Sequence, residues 1–203
     1  DYALLSAPGA PLKQALLDAK IGKDIYGSFE DGIKQTYFSI VAKGANLSRK
    51  EEFIKVIRDT LTKIAEDGID KKAVTAGINY YEFRFREADF SSYPKGLMYG
   101  LDILSSWLYD DTKPFCEVQL LEGFEFLKKA LEEGYFEELI RKYLLGNTHG
   151  AILSLVPEKG LAAKRDKELE EKLENYRKSL SDEELTRMVE NTKALEAYQE
   201  AEE

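Results

Sequence analysis

The chain has 203 residues, of which 43% are hydrophobic and 33% are charged, enough apolar material for one substantial domain with an appendage. Its formal net charge of −9 argues against a general nucleic-acid-binding protein, because neutralising phosphates requires clustered lysines and arginines. No apolar run reaches the roughly 18 residues that a transmembrane helix needs, so we expect neither a membrane span nor a membrane partner.

The single cysteine, Cys116, excludes an internal disulfide framework and a metal site built from several cysteines. It fits a reducing compartment, and we expect a cytoplasmic location. No initiator methionine or signal peptide opens the sequence, and its first residues, DYALLSAPGAPL, read like the middle of an element. We therefore expect a segment of a longer protein that carries no targeting information of its own.

The first part of the chain predicts mixed α and β structure. A helix is expected over residues 11–20, since Pro11 suits the first helical position. Two β-rich runs follow, residues 24–29 and 35–43, and an acidic–glycine turn at residues 30–32 between them indicates a hairpin. The second run is apolar on both faces, which predicts a central strand of a larger sheet.

Helices are predicted for most of the next hundred residues. Ser48 and Glu51 have the spacing of a capping box, and the helix that they open is expected to end at Gly68. Further helices are predicted over residues 70–87, 96–108, 118–132 and 135–145. Trp107 is expected to pack against the domain, and the apolar run 151–156 is expected to return as a strand.

From Leu161 onward the sequence becomes highly charged and helical. Ser181 and Glu184 form a second capping-box pattern, so two amphipathic helices are predicted with almost no loop between them. Such a pair should form an antiparallel hairpin. We therefore predict an α/β domain over residues 1–160 and a helical hairpin over residues 161–203, whose apolar stripes are too thin for an independent core.

His149 is the only histidine, and it is a weak candidate for catalysis. A zinc site needs about three protein ligands, normally including histidine or cysteine, and a catalytic triad needs a histidine beside its nucleophile. The sequence supplies no such companions. We interpret His149 as a structural residue of a turn or strand edge, and the alternative is a metal-binding or general-base role.

The other reactive side chains also favour structural interpretations. Cys116 begins an apolar segment and is interpreted as a small buried hydrophobic residue, with a nucleophilic role as the alternative. Two carboxylate pairs are expected on solvated helix faces: Glu122 with Glu125, and Glu132 with Glu133. The glycines form no dinucleotide-binding or phosphate-binding loop. We therefore predict no catalytic, cofactor-binding or metal-binding residue in this chain.

An aromatic run marks the helix predicted over residues 70–87. Its members are Tyr80, Tyr81, Phe83 and Phe85. Core packing is the favoured interpretation, with Tyr81 and Phe85 on the inner face beside Val74 and Ile78, and the lining of a peptide groove is the alternative.

Two blocks of sequence, READFSSYPKGLMYGLDILSSWLYDD and GYFEELIRKYLLGNTHGAILSLVPEKGL, resemble a known family. It is the pitrilysin/insulinase-type zinc metallopeptidases, in the branch of the presequence proteases. The segment LLSAPGAPLKQALLDAKIGKDI is similar to a recurrent segment of that family, and the resemblance extends over essentially all 203 residues.

The resemblance implies a place inside a much longer enzyme whose two halves close like a clamshell around a peptide. The chain would be most of the second, non-catalytic domain of the first half, followed by the hairpin that links the halves. That domain would have the α+β fold of LuxS/MPP-like metallohydrolases, a mostly antiparallel sheet with helices packed on it, here incomplete at its N-terminus. Its partners would be the parent's remaining domains and the peptide substrate, with dimerisation through an exposed sheet edge as a further expectation.

The family's inverted zinc motif, H-x-x-E-H, is absent from this sequence, which has a single histidine. The resemblance therefore places zinc elsewhere in the parent and transfers no catalytic residue to this chain. We expect a chamber wall and hinge without activity of its own. Two alternatives are a stand-alone interaction module that binds a protein through its helical hairpin, and a cysteine-dependent enzyme using Cys116.

Overall fold

The computed structural model describes residues 1–88 and 90–201. The chain divides into two compact units, the first spanning Asp1–Leu153 and the second beginning at Ser154. The first unit is mostly helical with a two-stranded antiparallel sheet, and the second is helical. An α+β fold is thus observed, although helix dominates more than the sequence suggests. Glu202 and Glu203, the last residues of the predicted hairpin segment, lie outside the described residues.

Long helices account for most of the first unit. After a π-helical turn at Tyr2–Ser6, the regular elements are α1 (Pro11–Asp18), β1 (Asp24–Glu30), β2 (Tyr37–Lys43), α2 (Lys50–Asp67), α3 (Lys71–Glu87), α4 (Lys95–Trp107), α5 (Leu121–Ala130) and α6 (Tyr135–Leu139). Short 3₁₀ turns occur at Leu47–Arg49, Cys116–Val118 and Leu131–Glu133, and a π-helical segment, Ile140–Leu145, continues α6.

The predicted hairpin is confirmed. Strands β1 and β2 pair antiparallel, with Ile25 opposite Ala42 and Glu30 opposite Tyr37. The prediction that β2 is a central strand is wrong for the described residues, because β1 is its one pairing partner there. Tyr37 and Val41 are exposed, so one face of β2 lies open to solvent.

The main core lies between the start of the chain, α1, the hairpin and α2. Leu12, Leu16, Ile21 and Ile25 are almost completely buried there. Burying a side chain of this size contributes roughly 1.5–3 kcal/mol, so these four are a large part of the unit's stability. Further members of this core are Leu4, Leu5, Leu61, Ile64, Ala65 and Ile140. A smaller core joins α3 to the end of α5 through Val74, Ile78 and Leu131.

Local hydrogen bonding explains where the central helices begin and end. The capping box predicted at Ser48 and Glu51 is not the one formed: Asn46 accepts the backbone N–H of Ser48, and a 3₁₀ turn precedes α2. Helix α2 ends as expected at Gly68, which has a φ of 97° that favours glycine. Asp70 caps α3 by accepting the N–H groups of the next turn.

Two predictions about the end of the first unit are wrong. The run 151–156 is not a strand, since no regular element covers it, and Leu155 is 88% exposed. A strand requires a partner to take its backbone hydrogen bonds, and the described residues supply none there. Trp107 does not pack into the domain either, because 48% of it remains exposed.

The second unit contains α7 (Leu161–Ser179) and α8 (Asp182–Glu200), separated by Leu180 and Ser181. The capping box predicted at the start of α8 is confirmed, because Ser181 accepts the N–H of Glu184 and donates its own N–H to the Glu184 carboxylate at 2.9 Å. The apolar side chains of both helices are exposed, and they include Leu169, Leu173, Tyr176, Met188, Val189, Leu195 and Tyr198.

Candidate functional site

The predicted turn residue His149 lies on the surface of the first unit. Its backbone N–H donates to the side-chain oxygen of Asn147 at 2.7 Å, an arrangement typical of a tight polar turn. The residue is exposed, as are its neighbours on both sides. A general base would need a nucleophile or substrate group within hydrogen-bonding reach, and this exposed turn encloses no space for one.

Cys116 is half-buried in a 3₁₀ turn, and its thiol lies 3.6 Å from the Glu117 carboxylate. A neighbouring carboxylate disfavours the thiolate that a nucleophilic cysteine requires. The predicted surface carboxylates are indeed exposed, namely Glu122, Glu125, Glu132 and Glu133. Two of them make surface ion pairs: Glu125 with Lys128, and Glu132 with Lys71.

Zinc, the metal implied by the family resemblance, does not fit the residues present here. Within residues 1–88 and 90–201, no three side chains of the histidine, cysteine, aspartate or glutamate type come together as a metal-binding group. The only histidine sits in an exposed turn and the only cysteine in a different turn. Zinc chemistry in proteins normally starts from three such ligands, so no catalytic step can be assigned through a metal held by this chain.

A buried charge on α3 was missed from the sequence. Glu82 is only 9% exposed, and its carboxylate accepts ion-pair contacts of 2.6 Å from Lys128 of α5 and from Arg86 one turn along α3. Hydrogen bonds from Lys128 first, and from Arg86 second, hold the pKa of Glu82 below its usual value. Lys128 also pairs with Glu125, and both carboxylates raise its pKa.

The sequence does contain a signal for this ion pair. Glu82 follows Val74 and Ile78 at successive intervals of four residues, so it occupies the next position on the buried side of α3. A charged residue in an apolar stripe, with an arginine four residues further on, indicates a paired buried charge. The role of the pair is structural, because it fastens α3 to α5.

Glu137 of α6 ties the chain to the turn between α2 and α3. One carboxylate oxygen accepts the N–H of Ile69 at 2.8 Å, while the other is buried without a partner among the described residues. Arg141, one turn later, donates to the carbonyl of Ala65 near the end of α2. These contacts fix the last helices of the first unit against α2.

The aromatic run of α3 is mostly a surface feature, so its predicted place in the core is wrong. Tyr80 and Tyr81 are exposed, as is Phe83 at 64%. Tyr80 stacks on Tyr2 at 5.9 Å between ring centroids, and the Arg84 guanidinium lies 5.7 Å from the Tyr80 ring centroid. Phe85 is half-buried against Phe124 of α5, and this part of the prediction holds.

Helix α4 carries a continuous apolar face that the described residues leave uncovered. Four leucines recur at helical spacing along one side, and Trp107 flanks them. All five are exposed: Leu97, Leu101, Leu104, Trp107 and Leu108. We call these five residues the α4 stripe. Monomeric proteins rarely expose such a surface without a partner, so the stripe is a candidate contact surface.

Within the described residues, the features that stand out are therefore exposed apolar faces rather than reactive groups. The described helices include none that is long and apolar enough to cross a membrane. Surfaces of this kind bind other polypeptide by burying apolar area, and they supply neither an acid nor a base.

Comparison with known proteins agrees with this division of the chain. Residues 155–203 match the family model for the segment associated with peptidase family M16, subfamily C, which covers nearly all of the second unit. Protein HypA of Clostridium perfringens is 43% identical over 198 residues, or 98% of this chain and 20% of that protein.

Presequence proteases are similar over the same extent. Presequence protease 1, chloroplastic/mitochondrial, of Arabidopsis thaliana is 33% identical over 98% of this chain and 19% of its own length. The mitochondrial presequence protease of Xenopus laevis is 27% identical over 92% of this chain and 18% of its own length. The chain spans about one fifth of the length of these relatives. The resemblance seen in the sequence is thereby confirmed, and the chain belongs, as a segment, to the presequence-protease branch of the pitrilysin-type peptidase family.

Proposed function

We propose that this chain is a non-catalytic segment of a zinc-dependent peptidase that degrades peptides inside a closing chamber. It forms part of the chamber wall and the hinge between the two halves, and it is inactive alone. The observation that carries the proposal is the similarity to presequence proteases along 98% of the chain and only 19% of their length. The lack of a zinc-ligand set among the described residues supports a mechanical rather than a chemical role.

In this proposal the first unit is an incomplete LuxS/MPP-like domain. The β1–β2 sheet and the exposed apolar run 151–156 support this, because both carry strand-like sequence whose hydrogen-bonding groups could be completed by additional strands. In the isolated chain the same open edge would allow dimerisation. The second unit is a hairpin linker in which α7 and α8 lie antiparallel, as their short connection favours.

Zinc belongs to another part of the parent enzyme, where it would supply an activated water for peptide hydrolysis. The remaining domains and the peptide substrate are the partners of this segment. Its own residues position walls: the Glu82–Lys128 pair fixes α3 on α5, and Glu137 fixes α6 on the turn at Ile69. A cytoplasmic location is part of the proposal, and it rests on the single cysteine.

The test compares three proteins in a peptide-cleavage assay with and without a zinc chelator. The complete parent protein should cleave unstructured peptides and lose that activity with the chelator. The 203-residue chain should show no cleavage, and its His149→Ala variant should bind zinc no differently, because an exposed lone histidine is a weak ligand. Chelator-sensitive cleavage by the chain, or zinc binding lost in His149→Ala, would contradict the proposal.

A second candidate function is a stand-alone module that binds a protein through α7 and α8. The exposed apolar stripes of both helices favour it, since an amphipathic helix can lie in a partner's groove. The complete reading frame separates the two candidates. Extended coding sequence with an H-x-x-E-H motif upstream supports the peptidase segment, and its absence supports the module.

A further inference from the structure

Helix α4 is unusually apolar for a helix with so little cover. Its sequence, KGLMYGLDILSSW, has two charged residues, Lys95 and Asp102, and neither lies on the α4 stripe. None of its residues is buried, and among the described residues it packs extensively only against the 3₁₀ turn at Cys116–Val118. A helix of this composition normally buries its apolar side.

Polar contacts nevertheless hold α4 in a defined position. Ser106, on the side away from the stripe, donates to the carbonyl of Lys113 in the following loop at 3.0 Å. Asp110 shapes that loop by accepting the N–H and hydroxyl of Thr112, and it pairs with Lys113 at 3.2 Å. The polar side of the helix is thus used within the chain, and the apolar side is left uncovered by the described residues.

The two ends of this excursion, residues 90–120, are fastened where α3 meets α5. Phe85 and Phe124 are in ring contact at 5.8 Å, and Glu82 binds Lys128 beside them. At the start of the excursion Phe90 packs edge-on against Tyr99 of α4 at 5.3 Å. The α4 stripe is therefore presented on an anchored arm rather than on a loose loop.

We infer that the α4 stripe docks onto an apolar surface of the same polypeptide that lies outside these 203 residues. The chain accounts for about one fifth of the length of its relatives, so roughly four times as much polypeptide is available to cover it. A covalently attached surface competes at an effective concentration on the order of mM, well above that of a second copy. The stripe carries no charge, so an apolar counterpart fits it and an acidic or basic one does not.

The inference rests on the proposed origin of the chain in a longer protein, but not on peptidase activity. It is tested in the protein translated from its whole reading frame, with Leu101 replaced by the photo-reactive residue p-benzoylphenylalanine. Lys55, an exposed position on α2, receives the same replacement as a matched control. After irradiation, cross-linked peptides are mapped by mass spectrometry.

The expected result is a set of intramolecular cross-links from Leu101 to residues outside this chain, with none of that set formed from Lys55. Cross-links only to a second copy or to a separate protein, no cross-links, or a reading frame without further sequence would overturn the inference. A parent that forms these cross-links but cleaves no peptide would refute the proposed function alone.

Hydrogen exchange provides a second measurement on the same protein. Amides of residues 95–108 should exchange at least about tenfold more slowly in the whole protein than in the Leu101→Ser, Leu104→Ser variant. Replacing exposed α2 residues, Lys55→Ser and Asp59→Ser, serves as the control and should leave exchange in α4 unchanged. Equal exchange in the whole protein and the leucine variant would overturn the inference.

Discussion

Glu82 is the residue at which a simple apolar pattern fails. It occupies the buried side of α3, yet it is charged and satisfied by Lys128 and Arg86 at 2.6 Å each. Removing one member of such a group leaves the other charges without their partner in a poorly solvated place. The contact therefore constrains which residues can stand at all three positions.

Replacing this carboxylate should destabilise the first unit in a pH-dependent way. In Glu82→Gln, the free energy of unfolding should fall at neutral pH, because two ion-pair contacts are lost. The pKa of Glu82 is depressed in the folded chain, so its contribution is present above the unfolded value near 4.5 and disappears as the pH falls through the folded value. Urea unfolding of both proteins at a series of pH values measures this.

Glu125→Gln is the matched control, because it removes an exposed partner of the same lysine. Its effect should be clearly smaller, as for surface ion pairs in general. Equal effects of the two substitutions, or a Glu82→Gln effect that grows on acidification, would contradict this account.

Among the elements, the β1–β2 hairpin depends on close backbone contact at Gly27. A Cβ there would overlap the carbonyl oxygen of Ser39 and would lie 2.6 Å from the side chain of Leu5. The strand therefore passes against both its partner and the first turn of the chain, which leaves room for glycine alone. Next to it, Ser28 and Ser39 share a hydrogen bond between their hydroxyl groups at 3.0 Å.

Gly27→Ala should cost at least about 2 kcal/mol of unfolding free energy, because a backbone carbonyl cannot move aside without breaking the strand pairing. Gly32→Ala, in the hairpin loop, meets nothing within 4 Å and should change stability by no more than about 0.5 kcal/mol. Chemical denaturation monitored by circular dichroism compares them. Similar stabilities for the two variants would show that β1 does not approach Ser39 as described.

At the scale of the whole molecule, exposed apolar faces are opposed by a net charge of −9. Charge repulsion keeps such surfaces apart, and it vanishes near the isoelectric point, at about pH 4.9. The chain by itself should therefore self-associate near that pH and dissociate as the pH rises to about 7.5. Sedimentation velocity over this range measures the effect.

The Leu101→Ser, Leu104→Ser variant should self-associate less near pH 4.9, because part of the α4 stripe is removed, whereas Lys55→Ser should not. A chain that stays monomeric at its isoelectric point, or equal association of both variants, would show that these leucines contribute no adhesive surface.

Local sequence determined most element positions correctly. Helices α2 and α3, the β1–β2 pair and the cap of α8 follow from apolar periodicity and from side chains that bond to neighbours within four residues. The family could also be recognised, because the quoted blocks preserve their order along the chain. The candidate site was predicted only as a lack of catalytic groups, since contact surfaces have no short motif.

Tertiary structure alone decided which faces are covered. It turned Tyr81 outward and Glu82 inward on the same helix, and it left 151–156 without the strand partner that the apolar pattern predicted. It also left the α4 stripe open. The reason is physical: a helix forms its hydrogen bonds within itself, but burial and strand pairing depend on polypeptide that is distant in sequence.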